Sequence, residues 1–155
     1  MAAETPPPAD RPEPQYDEIL VPTDGTEGAL QALDHAVAIA RAFDGRIHAI
    51  SVDEGAGGTH QDQMRTDSAE TAEKMTNEVA ERAKAQDVPV TSAVKSGRPK
   101  EEIVTYVEET DIDLIVMGTE GREGLKNVIF GSIAEETQRE APVPVLTVRP
   151  DTERS

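Results

Sequence analysis

Asp113-Leu114-Ile115-Val116-Met117-Gly118 decides the fold. Four consecutive large apolar residues between a carboxylate and a glycine make a strand without a polar face. Such a strand is buried on both sides, and parallel sheets covered by helices are where these strands occur. Upstream, Pro99 stands where a first-turn helix proline belongs and opens a helix to about Glu109 that buries Ile103, Val104 and Val107. Before it, Val88-Pro89-Val90 to Val94 is a strand, with Pro89 marking a strand start or a sheet edge. Downstream come a glycine-rich loop, a short helix from Ser132 to about Glu140, and a last strand from Val143 to Val148.

The N-terminal half repeats the alternation. Glu18-Ile19-Leu20-Val21 is a short apolar strand ended by the turn Pro22-Thr23-Asp24-Gly25. From Gly25 to Phe43, Leu30, Leu33, Val37 and Ala40 recur at helical spacing, with Asp24 a candidate N-cap and Gly45 the closing residue. Arg46 to Val52 is strand-like but ambiguous in period, and the glycine-rich linker Asp53 to His60 is expected to be mobile. A helix from about Gln61 to Gln86 carries a thin apolar stripe of Ala72, Met75, Val79 and Ala83. Met64 and Met75 are expected in that core stripe rather than in a binding groove. Strand and helix alternate from end to end, which predicts a three-layer α/β fold with a mostly parallel sheet. Ligands in such sheets bind at the carboxyl ends of strands, where connections diverge.

The chain has 155 residues, 31 of them acidic and 15 basic, for a formal charge of −16. One domain of ordinary size fits this length. Phosphate backbones recruit clustered Lys and Arg, which argues against a general nucleic-acid partner, and an anionic membrane surface would repel the chain. Cysteine is absent, so no disulfide framework, thiolate metal site or cysteine nucleophile exists. No apolar run approaches the roughly 20 residues of a spanning helix. Residues 1–15 hold five prolines and no hydrophobic stretch; they are expected to be a disordered tail, not a secretory signal. The acidity serves solubility, or adaptation to a salty cytoplasm in which screening makes it inexpensive. The two-to-one acidic excess, Arg outnumbering Lys and 3% aromatics favour the second reading.

Four glycines fall within Gly118-Thr119-Glu120-Gly121-Arg122-Glu123-Gly124 and on to Gly131-Ser132. Glycine lets backbone N–H groups approach an oxyanion, and a helix opening at Ser132 favours a phosphate. The same residues also fit tight turns and a capping box of Ser132 with Glu135. Neither a P-loop nor G-x-G-x-x-G is present. His35, His48 and His60 show no metal-ligand spacing and are expected to be structural or solvated. The pairs Glu101-Glu102, Glu108-Glu109 and Glu135-Glu136 are expected on solvated helix faces.

Gly118-x2-Gly121-x9-Gly131-Ser132, after Asp113 to Gly118 and before Pro142 to Arg149, resembles the nucleotide loop of the universal stress protein family. Ile19 to Gly25 and Gly97-x-Pro99-x-Glu101-Glu102-Ile103 also match family patterns. The resemblance spans residues 16–150, leaving 1–15 and 151–155 as tails. It implies five parallel strands in the order 3-2-1-4-5 with about four helices, an ATP site where strands one and four part, and a homodimer through the last strand, 143–149. Carried over, it places Pro22, Thr23 and Asp24 on the pocket floor and Val52 against adenine. Met117 and Gly118 would meet the nucleoside, and Gly121, Arg122, Gly131, Ser132 and the Ile133 N–H the phosphates. The implied ligand is ATP, or AMP or ADP, with Mg2+ or Mn2+. A carboxylate beside phosphates is repulsive unless a cation lies between them, which makes Asp24 the metal-proximal residue, directly or through water or phosphate. Glu120 and Glu123 depart from the family loop and would oppose an anion if they faced it. The implied role is a cytoplasmic stress-response or signalling module rather than an enzyme; the alternative is a dimeric interaction module that has lost the nucleotide. No residue is placed as an efficient general base, although slow hydrolysis of bound ATP is compatible with a phosphate cradle and a cation.

Overall fold

The computed structural model describes residues 13–53, 62–119 and 129–149, with side chains except at 62–68 and 129–132. The C-terminal tail, the glycine loop 120–128, most of the linker and all but residues 13–15 of the N-terminal tail lie outside the described residues. The strands are β1 (Glu18–Pro22), β2 (Arg46–Asp53), β3 (Val90–Ser96), β4 (Leu114–Gly118) and β5 (Val145–Val148). All pairings are parallel, in the order β3-β2-β1-β4-β5. Four helices occupy the intervening crossovers: α1 (Glu27–Phe43), α2 (Asp62–Ala85), α3 (Pro99–Glu109) and α4 (Ile129–Glu140). The expected three-layer α/β architecture and its strand order are what the chain forms.

Alternation along the central strands builds two cores, one per sheet face. Ile19 and Val21 of β1 with Leu114 and Val116 of β4 pack against α1 and α2. Leu20, Ile115 and Met117 point the other way, against Ile103, Tyr106 and Val107 of α3 and Ala134 of α4. The same alternation explains the missing period in β2: Ile47 and Ala49 enter the first core and Ile50 the second, so both faces are buried. Helix α1 buries a row of small residues, Ala29, Ala32, Ala36 and Ala40, all at 1% exposure or less, with Leu33 and Val37 beside them in the first core. Methyl-sized contacts let its axis lie close to the strands.

Several element ends differ from expectation. The N-cap of α1 is Thr26, whose hydroxyl accepts from the Ala29 N–H, so Asp24 is not the cap. The left-handed residue closing α1 is Asp44 (φ 61°), not Gly45. Gly45 is required for another reason: a Cβ there would lie 2.6 Å from the Tyr16 carbonyl oxygen. Helix α4 starts at Ile129, three residues before Ser132, which excludes the Ser132–Glu135 capping box. Strand β5 starts at Val145 because Pro144 lacks a ladder donor, although its carbonyl accepts from the Ile115 N–H. In α2 Thr76, at 2% exposure, is buried with Ala72, Val79, Ala80 and Ala83, whereas Met75 is half-buried. The Thr76 hydroxyl donates to the Glu73 carbonyl (3.0 Å), so it enters the core with its hydrogen bond satisfied.

Candidate functional site

The chain runs outward from β1 through β2 to β3 and then returns past β1 to β4, so connections diverge between β1 and β4. The ladder between these two strands has only two rungs, Ile19↔Leu114 and Leu20↔Ile115. On either side pairing continues further, to Pro22↔Ile50 and Gly118↔Val148. The β1–β4 ladder therefore ends early, and the crevice that open α/β sheets offer to ligands at the carboxyl edge falls beside this point.

The β1 side of this crevice is held by hydrogen bonds. The Thr23 N–H donates to the Ile50 carbonyl (2.9 Å), and the Ser51 hydroxyl donates to the Thr23 carbonyl (3.2 Å). The Thr23 hydroxyl accepts from the Gly25 N–H, which helps fix Gly25 at φ 81°. Asp24 uses Oδ1 twice, accepting from the Thr26 N–H (3.1 Å) and hydroxyl (2.5 Å). Among the described residues its Oδ2 has no hydrogen-bond partner.

The β4 side is built by contact of two glycines. A Cβ on Gly118 would lie 3.0 Å from both the carbonyl carbon and oxygen of Gly28, in the first turn of α1. Only glycine at the end of β4 lets the N-terminus of α1 come this near. Val52, two residues beyond Ile50, shares its sheet face with Met117, so the two stand at the ends of β2 and β4 on opposite sides of β1. Pro22, Thr23, Asp24, Val52, Met117 and Gly118 are thus all at one edge. Gly121 and Arg122, with Glu120 and Glu123, lie outside the described residues. Gly131 lies in the first turn of α4 and Ser132 closes it, so backbone amides at this helix end come from residues earlier than expected. Ile133 stands one turn in, where N–H groups bond within the helix, and its side chain packs on the second core.

Beside the crevice a groove of about 410 Å³ opens between the turn Asp24–Thr26 and α2. Thr71, Lys74, Met75 and Glu78 supply the helix wall, at the i, i+3, i+4, i+7 spacing of one helical face. Met75, expected in the core, instead has its side chain against Gly25, where a Cβ would meet its Cγ at 3.0 Å. The sequence contains this spacing, but it does not reveal which turn the face would meet.

A second polar cluster lies toward the amino edge. His48 Nε2 is 2.7 Å from Glu18 Oε1, and Nδ1 is 2.8 Å from the Tyr106 hydroxyl. One proton arrangement satisfies every group: Nε2–H donates to the carboxylate and the phenol donates to Nδ1. Burial, reinforced by the Glu18 charge, raises the Tyr106 pKa above the ordinary phenol value. His48 is accordingly structural, as expected. Among the described residues no group of three or more His, Cys, Asp or Glu could hold a metal ion. No described helix is long and apolar enough to cross a membrane.

Comparison with known proteins agrees with this fold. The model of the universal stress protein family matches residues 15–149. Universal stress protein MJ0531 of Methanocaldococcus jannaschii is 34% identical over 144 residues, covering 86% of this chain and 82% of the relative. The solved structure of hypothetical protein MJ0577 superposes with a TM-score of 0.78 at 26% identity, over 90% of this chain and 99% of that one. A universal stress protein solved in complex with cAMP shares the fold, with a TM-score of 0.69 and 24% identity over 88% of this chain and 99% of that one. A match through the whole folded part and a relative at this identity leave one conclusion: this chain belongs to the universal stress protein family.

Proposed function

We propose that the chain binds ATP, or the related AMP or ADP, in the crevice between β1 and β4 and acts as a homodimeric stress-response or signalling module in the cytoplasm of a salt-adapted cell. The observation that carries this reading is the early end of the β1–β4 ladder beside an Asp24 whose Oδ2 is outside both of its hydrogen bonds. A crevice at the switch point accepts the nucleoside, and an open carboxylate oxygen favours a ligand that brings a cation. Asp24 would hold Mg2+ or Mn2+ arriving with the nucleotide, directly or through water or phosphate, and the cation would offset the phosphate charge. A fold relative solved with cAMP supports a nucleotide as the ligand class. Pro22, Thr23, Val52, Met117 and Gly118 enclose the nucleoside in this reading. Gly121, Arg122, Gly131 and Ser132 hold phosphates, with Ile133 supporting that helix turn. The ligand acts by favouring one conformation or partner complex over another, not through turnover.

The dimer forms through β5, where Leu146 is 39% exposed on an edge strand. The test of the binding reading is direct. Protein purified in high salt without added nucleotide is denatured and the supernatant assayed for ATP and AMP; bound nucleotide, or a thermal shift with millimolar ATP and Mg2+, is expected. Absence of both would leave an interaction module without nucleotide, in which Glu120 and Glu123 oppose an anion.

A further inference from the structure

Helix α2 is longer than the sheet it covers. It returns antiparallel to the strands, and Met75 sits at the β1–α1 turn, the level of the carboxyl edge. Residues 62–74 precede that contact, so about 20 Å of helix rises beyond the edge beside the crevice. The Met75–Gly25 contact fixes its rotation, which turns Thr71, Lys74 and Glu78 into the groove that Asp24 also lines. Glu78 is paired with Arg82 at 3.4 Å. No described carboxylate lies within 4.0 Å of the Lys74 ammonium, and among the described residues lining the groove Lys74 is the only cation. In a chain with twice as many acids as bases, a lysine with no ion-pair partner among the described residues, facing a carboxylate-bearing groove, is a specific arrangement.

We infer that Lys74 is a ligand-contacting residue: its ammonium pairs with the phosphate of the nucleotide held at the β1–α1 turn, opposite the cation that Asp24 favours. This rests on the nucleotide reading above. The two charges divide the work, Asp24 acting through a cation and Lys74 directly, so that the anion is neutralised from both sides of the groove. A lysine ammonium is a point donor on a flexible stem and suits a phosphate whose orientation is set elsewhere.

The test is calorimetric titration of ATP with Mg2+ at one fixed salt concentration into wild type, Lys74→Gln, Lys74→Arg and Lys84→Gln. Lys84 is exposed near the end of the same helix, away from the groove, so Lys84→Gln removes the same charge without the contact. Lys74→Gln should weaken binding roughly tenfold, the size of one hydrogen bond to a charged group. Lys74→Arg should stay within about threefold of wild type, a residual cost of the altered donor geometry, and Lys84→Gln should match wild type. Equal affinities for Lys74→Gln and Lys84→Gln would overturn the assignment and leave the nucleotide reading intact. A wild type that binds no ATP would overturn both.

Discussion

Replacing Tyr106 by Phe isolates one hydroxyl in the His48 cluster. The ring remains, and with it the edge contact to His48 (centroids 5.6 Å apart) and the Lys95 ammonium 5.6 Å from the ring centre. What is lost is the 2.8 Å hydrogen bond to Nδ1 in a place where Tyr106 and His48 are each 8% exposed. Nδ1 cannot recover by exchanging its proton with Nε2, because the Nε2 lone pair would then face the Glu18 carboxylate at 2.7 Å. A buried acceptor left without a donor costs about 1–3 kcal/mol. Urea denaturation at pH 8, followed by circular dichroism at constant high salt, should show that loss at an unchanged denaturant slope. A second signature lies at alkaline pH. The folded phenol holds its proton to higher pH than the unfolded one, which ionises near pH 10. Above that point the unfolded state binds fewer protons than the folded, so stability falls as pH rises toward the folded pKa. Tyr106→Phe abolishes this contribution. A variant as stable as wild type at pH 8, with the same alkaline decline, would refute the proton arrangement.

Two further predictions concern the edges of the sheet. Gly118→Ala should destabilise by about 1–3 kcal/mol, since a Cβ must displace the first turn of α1 rather than a flexible side chain; denaturation measures the loss, and ATP affinity should fall with it. Leu146→Lys places a charge on the exposed apolar residue of β5 and should yield monomers in size-exclusion chromatography with light scattering, whereas an unchanged dimer would put the interface elsewhere.

The central architecture is legible because β1 and β4 are apolar on both faces, and a strand without a polar side has few places to go. The Pro99 helix likewise carries a local signal. Helix rotation was less legible. Ala72, Met75, Val79 and Ala83 make a plausible stripe, yet the core takes Thr76 and Ala80 with Ala72, Val79 and Ala83. A threonine that bonds back to its own helix is not polar toward its surroundings, and composition cannot show that. The His48 cluster joins residues 30 and 58 positions apart, and only the register of β1 with β2 and the seat of α3 bring them together. Lys74 is illegible in the sequence for the same reason: its significance depends on a turn about a third of the chain away.

The row of alanines under α1 sets a dimension. With methyl groups as spacers, the helix behaves as a beam resting on short pegs, and its leading end carries Thr26 and Gly28 to their places beside Asp24 and Gly118. Lengthening a peg at Ala32 or Ala36 would lift the beam and widen the gap that the paired glycines close. In the nucleotide reading proposed above, the width of the seat is therefore governed by side chains one to two helical turns away that never touch it.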